Sequence, residues 1–363
     1  MLKDKITAKQ AISMMILFQL GSSLVTGASM LADQDSWISV AIALVAAIPI
    51  MLMYARINKL VLNKDIFEIS YFAFGKIFGA VITFLFAIYS FHLGTLVIKN
   101  FTEYIQVMSL PETPQLVSAI FIGMICFFAI RNGIEVFARF AAFMMPIAMF
   151  VIIILLSFSA KYMNVSNLRP FLSHDIKLIF NEAFSALAFP FAETVLFISV
   201  FSAVEDKNSL SSKYMTALMA GGTALIILVM GNIMVLGFPL VKALYFPSYE
   251  TASIIDIGNF ISRIEVLVSG NFIVFGLTKV TICLYVACKG IVKLFKIKSF
   301  KITAAVVSFL MVVVSQVLYE NTMQMFTLIR AYKYYAPIFE ILIPLAILIM
   351  LPIKAKKANP SQA

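Results

Sequence analysis

Charge is scarce in this sequence: Asp, Glu, Lys and Arg together make up 13% of its 363 residues. Soluble domains carry about a quarter, so a water-facing surface of ordinary extent is excluded. Histidine is scarcer still, with two residues, His92 and His174, far apart. Neither stands near a cysteine or carboxylate cluster at ligand spacing, so catalytic metal chemistry has no support, and neither an enzyme nor a cofactor is expected. The three cysteines, Cys126, Cys283 and Cys288, all fall inside apolar runs. Without the paired framework of a secreted domain they read as reduced packing residues.

What the chain has instead is apolar surface. Hydrophobic residues reach 62% and mean hydropathy is +0.99, more than a globular core can hide, so many side chains must face lipid. The apolar runs are continuous and mostly about twenty residues long, enough for a helix to cross a hydrocarbon core of roughly 30 Å. Alternating segments of about ten residues would mark a β-barrel, and that reading is excluded. Spans are predicted near 9–31, 36–55, 78–101, 114–131, 134–160, 177–203, 213–239, 266–289, 301–319 and 334–353. The expected fold is an all-α polytopic membrane protein of about ten helices, one integral membrane domain over 1–363 with no soluble insertion.

The basic N-terminus, MLKDKITAKQ, runs into the first span without a small-residue cleavage pattern, so it reads as a retained first helix. With that end in the cytoplasm, most of the 28 basic residues fall on cytoplasmic segments, among them Lys59, Lys64, Arg131, Lys207, Lys293 and Lys298. The positive-inside bias therefore puts both termini in the cytoplasm. Two connections carry structure of their own: 65–75 reads as a short amphipathic helix on the cytoplasmic face, and 245–265 as a second one outside.

Function in such a bundle is sought where a span departs from a regular apolar helix, because freed backbone groups survive only beside protein or a polar cavity. The first span carries Gly21-Ser22-Ser23 and then Thr26-Gly27, which lower helix preference and let a solute approach the backbone. In the sixth, Phe189-Pro190-Phe191-Ala192-Glu193 sets a proline in mid-span. Proline has no N–H for the Ala186 carbonyl and pushes Phe189 out of α geometry. Each feature has a plainer use, since small residues also serve close packing and prolines kink helices, as Pro49, Pro146 and Pro344 are expected to do. Spans one and six are equivalent if ten helices form two halves of five, and paired interruptions at matching places point to a substrate site.

The stretches Asp35-Ser36-Trp37-Ile38, Leu110-Pro111-Glu112-Thr113-Pro114, Arg131-Asn132-Gly133-Ile134-Glu135-Val136-Phe137-Ala138-Arg139, Asn167-Leu168-Arg169-Pro170, Pro190-Phe191-Ala192-Glu193 and Arg263-Ile264-Glu265 stand in this order along the chain. Together they resemble the B-subunit (GerAB-type) spore germination permease family of the amino acid–polyamine–organocation superfamily. The resemblance covers nearly the whole chain. It implies a LeuT-like pair of inverted five-helix repeats, about 9–160 and 177–353, with a small germinant such as an amino acid held between spans one and six. It also implies partners, a larger membrane A-type subunit and a lipoprotein C-type subunit, and a place in the spore inner membrane.

Substrate-binding candidates are thus Gly21, Ser22, Ser23, Thr26, Gly27, Phe189, Pro190 and Glu193, with Lys279 and Glu193 as coupling candidates. Glu193 and Lys279 are the ionisable residues placed nearest the membrane centre, where each charge requires a partner, a cavity or a neutral form. Glu193 reads either as a ligand for a substrate ammonium or a proton, or as the partner of Lys279 in an ion pair. In the LeuT-like fold a sodium ion lies between spans one and eight, and the Lys279 ammonium is positioned to replace it. A paired or interfacial lysine is the other reading. His92 reads as a packing residue, and Glu182 and Glu340 as side chains within reach of interfacial water. Two functions remain open: a ligand-sensing receptor subunit, and a proton-coupled amino acid transporter. A channel would need a continuous polar face that the sequence lacks.

Overall fold

The computed structural model describes residues 5–26, 30–172, 175–255 and 264–358, with backbone alone described at 22–26, 30–31 and 354–358. Among these residues the chain is nearly all helix, with two isolated β-bridges and no strand. Eight helices are long and apolar enough to cross a bilayer; the helices Ala8–Thr26 and Gln115–Ile130 bring the number to ten. In order they are span one, Ala8–Thr26; span two, Ser36–Leu60; span three, the membrane part of Ile66–Met108; span four, Gln115–Ile130; and span five, Glu135–Ser159. The second half holds span six, Ile176–Phe201; span seven, Leu210–Leu236; span eight, Glu265–Phe295; span nine, Phe300–Val317; and span ten, Thr322–Ile353.

The distribution of side chains is the reverse of a soluble protein's. Phe143, Phe150, Phe309 and Val317 are more than half exposed, whereas Glu193, Lys279 and Glu340 are fully buried. Large apolar residues on the outside and charges at the centre are stable only where the surroundings are lipid. Spans one, three and eight form the middle of the bundle, and spans four, five and nine lie outside them. Close approach at the centre depends on small residues. A Cβ on Gly94 of span three would sit 3.0 Å from the Cys283 Cβ of span eight, and one on Gly290 would sit 2.8 Å from the Ala87 Cβ.

The amphipathic helix expected at 65–75 is present. Asp65 opens it by accepting from the Phe67 and Glu68 N–H groups at 3.1 and 2.9 Å, and Gly75 closes it at φ +79°, which a side chain would strain. The chain then turns directly into span three. The same Asp65 carboxylate meets Lys289 at the end of span eight at 3.0 Å, and Glu68 meets Lys293 at 3.5 Å. Asp65 therefore does two jobs that substitution separates: Asp65→Asn keeps a competent cap and loses only the ion pair, whereas Asp65→Ala loses both and destabilises by about 1–2 kcal/mol. Thermal unfolding of the purified variants should rank wild type above Asn above Ala.

On the same face, the segment before span one pairs with the one after span six: Ile6 N–H donates to Ala203 O and Glu205 N–H to Ile6 O, each at 3.0 Å. Lys207 caps the end of span six, its Nζ donating to the Phe201 and Ser202 carbonyls at 2.9 and 2.7 Å. Partial burial, with the Lys213 ammonium nearby, pushes the Lys207 amine down to about 8. On the opposite face, the helix expected over 245–265 is short, Pro247–Ser253, and 256–263 lies outside the described residues.

Two expectations are corrected. Span one does not break at Gly21-Ser22-Ser23, because the helix runs through these residues to Thr26. Glycine serves close packing there: a Cβ on Gly21 would lie 3.1 Å from the Lys279 Cδ and 3.4 Å from the Phe275 carbonyl. Glu340 does not reach interfacial water, since span ten begins at Thr322 and not near 334, which carries the residue into the fully buried core.

Candidate functional site

Span six is interrupted where the sequence places its proline. Helix Ile176–Ala186 passes into a widened π turn, Leu187–Phe191, in which Phe189 stands at φ −135°, ψ 105°, outside helical space. A tightened turn, Ala192–Leu196, and the helix Phe197–Phe201 complete the span. Pro190 withholds the N–H that would carry the ladder through this point, and extended geometry at Phe189 is what a residue before proline adopts. Glu193 follows within the next turn, fully buried.

Across from it, Lys279 of span eight approaches Glu193 to 2.5 Å, with neither side chain exposed. Its stem passes over Gly21 of span one, and its ammonium lies 4.3 Å from the Phe189 ring centroid and 5.2 Å from that of Phe18. Two aromatic faces thus share the charge with one carboxylate. The contact is ionic, carboxyl and ammonium meeting outside regular hydrogen-bond angles, with the Tyr332 hydroxyl as a further polar neighbour of Glu193. A buried charge pair of this kind retains polar capacity that a bound solute can satisfy.

A second carboxyl lies beside the first. Glu340 sits in a π turn of span ten, Ile338–Leu342, three residues after Pro337, as Glu193 sits three residues after Pro190. Its Oε1 accepts from the hydroxyls of Tyr89 at 2.8 Å and Tyr332 at 3.2 Å, and these hydroxyls are themselves 2.7 Å apart. The Tyr54 hydroxyl lies 2.6 Å from the Glu340 carbonyl and 3.0 Å from the Ala192 carbonyl, so one side chain of span two joins the two irregular turns. The Tyr332 ring packs edge-on against Phe189, and the Tyr89 ring stacks on Phe339. His92 bonds the Tyr335 hydroxyl at 2.8 Å, one ring further out.

Of the residues singled out from the sequence, Gly21, Phe189, Pro190, Glu193 and Lys279 come together here. Ser22, Ser23 and Thr26 lie further along span one with only their backbone described, and Gly27 is outside the described residues. The sequence reading missed Phe18, Tyr54, Tyr89, Tyr332 and Glu340. A signal for the last was present, because Pro190-Phe191-Ala192-Glu193 and Pro337-Ile338-Phe339-Glu340 share one spacing of proline and glutamate.

A cleft of about 290 Å³ lies elsewhere, between spans three, four and eight, lined by residues such as Phe101, Phe121, Ile125, Gly276 and Val280. Its walls are almost wholly apolar and Phe121 and Ile125 stand exposed on the outer surface, so it offers nothing to select a polar solute. The candidate site is therefore the buried polar cluster.

A family model described as "Spore germination protein" matches residues 5–325. Among curated proteins, spore germination protein KB of Bacillus subtilis (strain 168) is 27% identical over 303 residues, covering 82% of this chain and 80% of that protein. The putative spore germination protein YfkT of the same organism is 26% identical over 299 residues, covering 79% and 80%. Among solved structures, MhsT in complex with L-phenylalanine superposes with a TM-score of 0.68 at 14% identity, covering 97% of this chain and 99% of that one. Mhp1, a nucleobase-cation-symport-1 family transporter in a closed conformation with bromovinylhydantoin bound, gives 0.67 at 10% identity, covering 99% and 94%. The fold is thus the LeuT-like one.

Proposed function

The chain belongs to the spore germination protein family, and on that premise we propose that it is the permease-like subunit of a germinant receptor. It binds an amino acid or a solute of similar size between spans one and six, and signals to partner subunits. The observation that carries this reading is the buried Glu193–Lys279 pair at the break of span six, held against Gly21 of span one. Glu193 suits a ligand ammonium. Gly21, Ser22, Ser23, Thr26 and Gly27 would form the wall on the side of span one. Lys279 stands between spans one and eight, where a fixed ammonium serves in place of a mobile cation, and a ligand that binds two arrangements of this contact unequally shifts their balance.

The remaining parts of the proposal follow from the same family. The chain acts as one integral membrane unit, its halves dividing near 160 and 177, with both termini in the cytoplasm of the spore inner membrane. Its partners are a larger membrane A-type subunit and a lipoprotein C-type subunit, and it is not an enzyme. The alternative, a proton-coupled amino acid transporter, draws support from the fold it shares with Mhp1. Proteoliposomes holding this chain alone separate the two: saturable binding of a labelled amino acid without accumulation is expected, whereas concentrative uptake would assign the chain to the transporters.

A further inference from the structure

Three oxygens in the core stand in mutual hydrogen-bond contact: Tyr89 Oη, Tyr332 Oη and Glu340 Oε1, separated by 2.7, 2.8 and 3.2 Å. Three contacts need three hydrogens, and two phenol hydroxyls supply two. With the carboxylate ionised, Tyr332 donates to Tyr89 and Tyr89 to Glu340, and the third contact, Tyr332 Oη to Oε1 at 3.2 Å, is left without a hydrogen. A proton on Glu340 closes the ring, each oxygen donating once and accepting once. The other carboxyl oxygen, Oε2, is buried and has no hydrogen-bond partner among the described residues, an environment that suits a neutral acid and not a carboxylate.

Charge counting agrees. The groups facing Glu340 are Tyr89 of span three, Tyr54 of span two through its bond to the backbone, Tyr332 and Tyr335 of span ten, Glu193 of span six and Lys279 of span eight. Two carboxyl groups therefore share one ammonium, and that ammonium already contacts Glu193. We infer that Glu340, closed in a ring with the Tyr89 and Tyr332 hydroxyls, is the proton-binding site of this bundle.

The consequence is a coupling device within the site proposed above. When the proton leaves to solvent water, the negative charge stays on Glu340 and competes with Glu193 for Lys279. Tyr54 holds the carbonyls of Glu340 and Ala192 together, so a change at the turn of span ten is carried directly to the broken turn of span six. The test needs no solute, so it stands or fails separately from the receptor reading.

Infrared spectroscopy of the purified full chain in lipid nanodiscs at neutral pH reads the proton directly. The wild type is expected to show a carboxylic-acid C=O stretch that is absent from Glu340→Gln. Identical spectra for wild type and Glu340→Gln would overturn the inference. Tyr332→Phe removes one hydrogen bond from the ring and is expected to move the band to higher frequency. That shift decides the matter should Glu340→Gln fail to fold, and an unmoved band counts against the site.

Discussion

Replacing Lys279 by Met should destabilise the protein by about 3–5 kcal/mol, because it leaves the Glu193 charge buried without its partner. The double variant Lys279→Met with Glu193→Gln should recover most of that loss, since removing both charges together is often close to neutral. Ligand response should not return with it. The separation of the two readouts is the point: a pair kept only for stability would give back function along with folding, whereas a pair that recognises a solute would not. Thermal unfolding in nanodiscs and germinant dose-response curves for the four members of the cycle measure both.

Gly21→Leu should abolish the response while Gly21→Ala weakens it. An added Cβ already falls 3.1 Å from Lys279 Cδ, so alanine requires the lysine stem to yield by a few tenths of an ångström. Leucine has no such accommodation. Its further carbons must occupy the volume of the Lys279 stem or displace span one from span eight, and overpacking of this degree costs about 1–3 kcal/mol or more. The displaced ammonium would then lose Glu193 and the Phe18 and Phe189 rings together. Equal response from Gly21→Leu and wild type at equal protein level would remove the contact between spans one and eight from the mechanism.

How far these residues were legible in the sequence depended on whether their chemistry has one structural meaning. A proline in mid-span always removes an N–H, and at Pro190 both the break and the extended Phe189 stand where that loss places them, although Pro49 and Pro146 sit inside continuous helices. Glycine has two meanings, and at Gly21 the wrong one was the natural reading: the residue makes room for a neighbouring side chain and the helix passes through it unbroken. The fold was legible because a bilayer imposes length and apolarity on every span. Glu340 was lost for the corresponding reason. The stretch Gln324 to Tyr335 is polar enough to read as a loop, which starts span ten too late and puts its glutamate near water. In the fold the polar groups of that stretch have partners, Lys333 bonding Asn181 and Tyr332 bonding Glu340 and Tyr89. Partnership across 243 residues of sequence leaves no trace in local pattern. The repeated spacing of Pro190 and Glu193, Pro337 and Glu340 does leave one, and it names both carboxyls of the site.

The Glu193–Lys279 pair at the break of span six is proposed to hold a small solute. Equilibrium binding of an amino acid panel to the purified chain, wild type against Glu193→Gln, tests it most directly. At least one amino acid should bind the wild type saturably and lose tenfold or more in affinity, about 1.4 kcal/mol, in the variant. Binding of equal strength to both proteins would place the solute elsewhere and contradict the account.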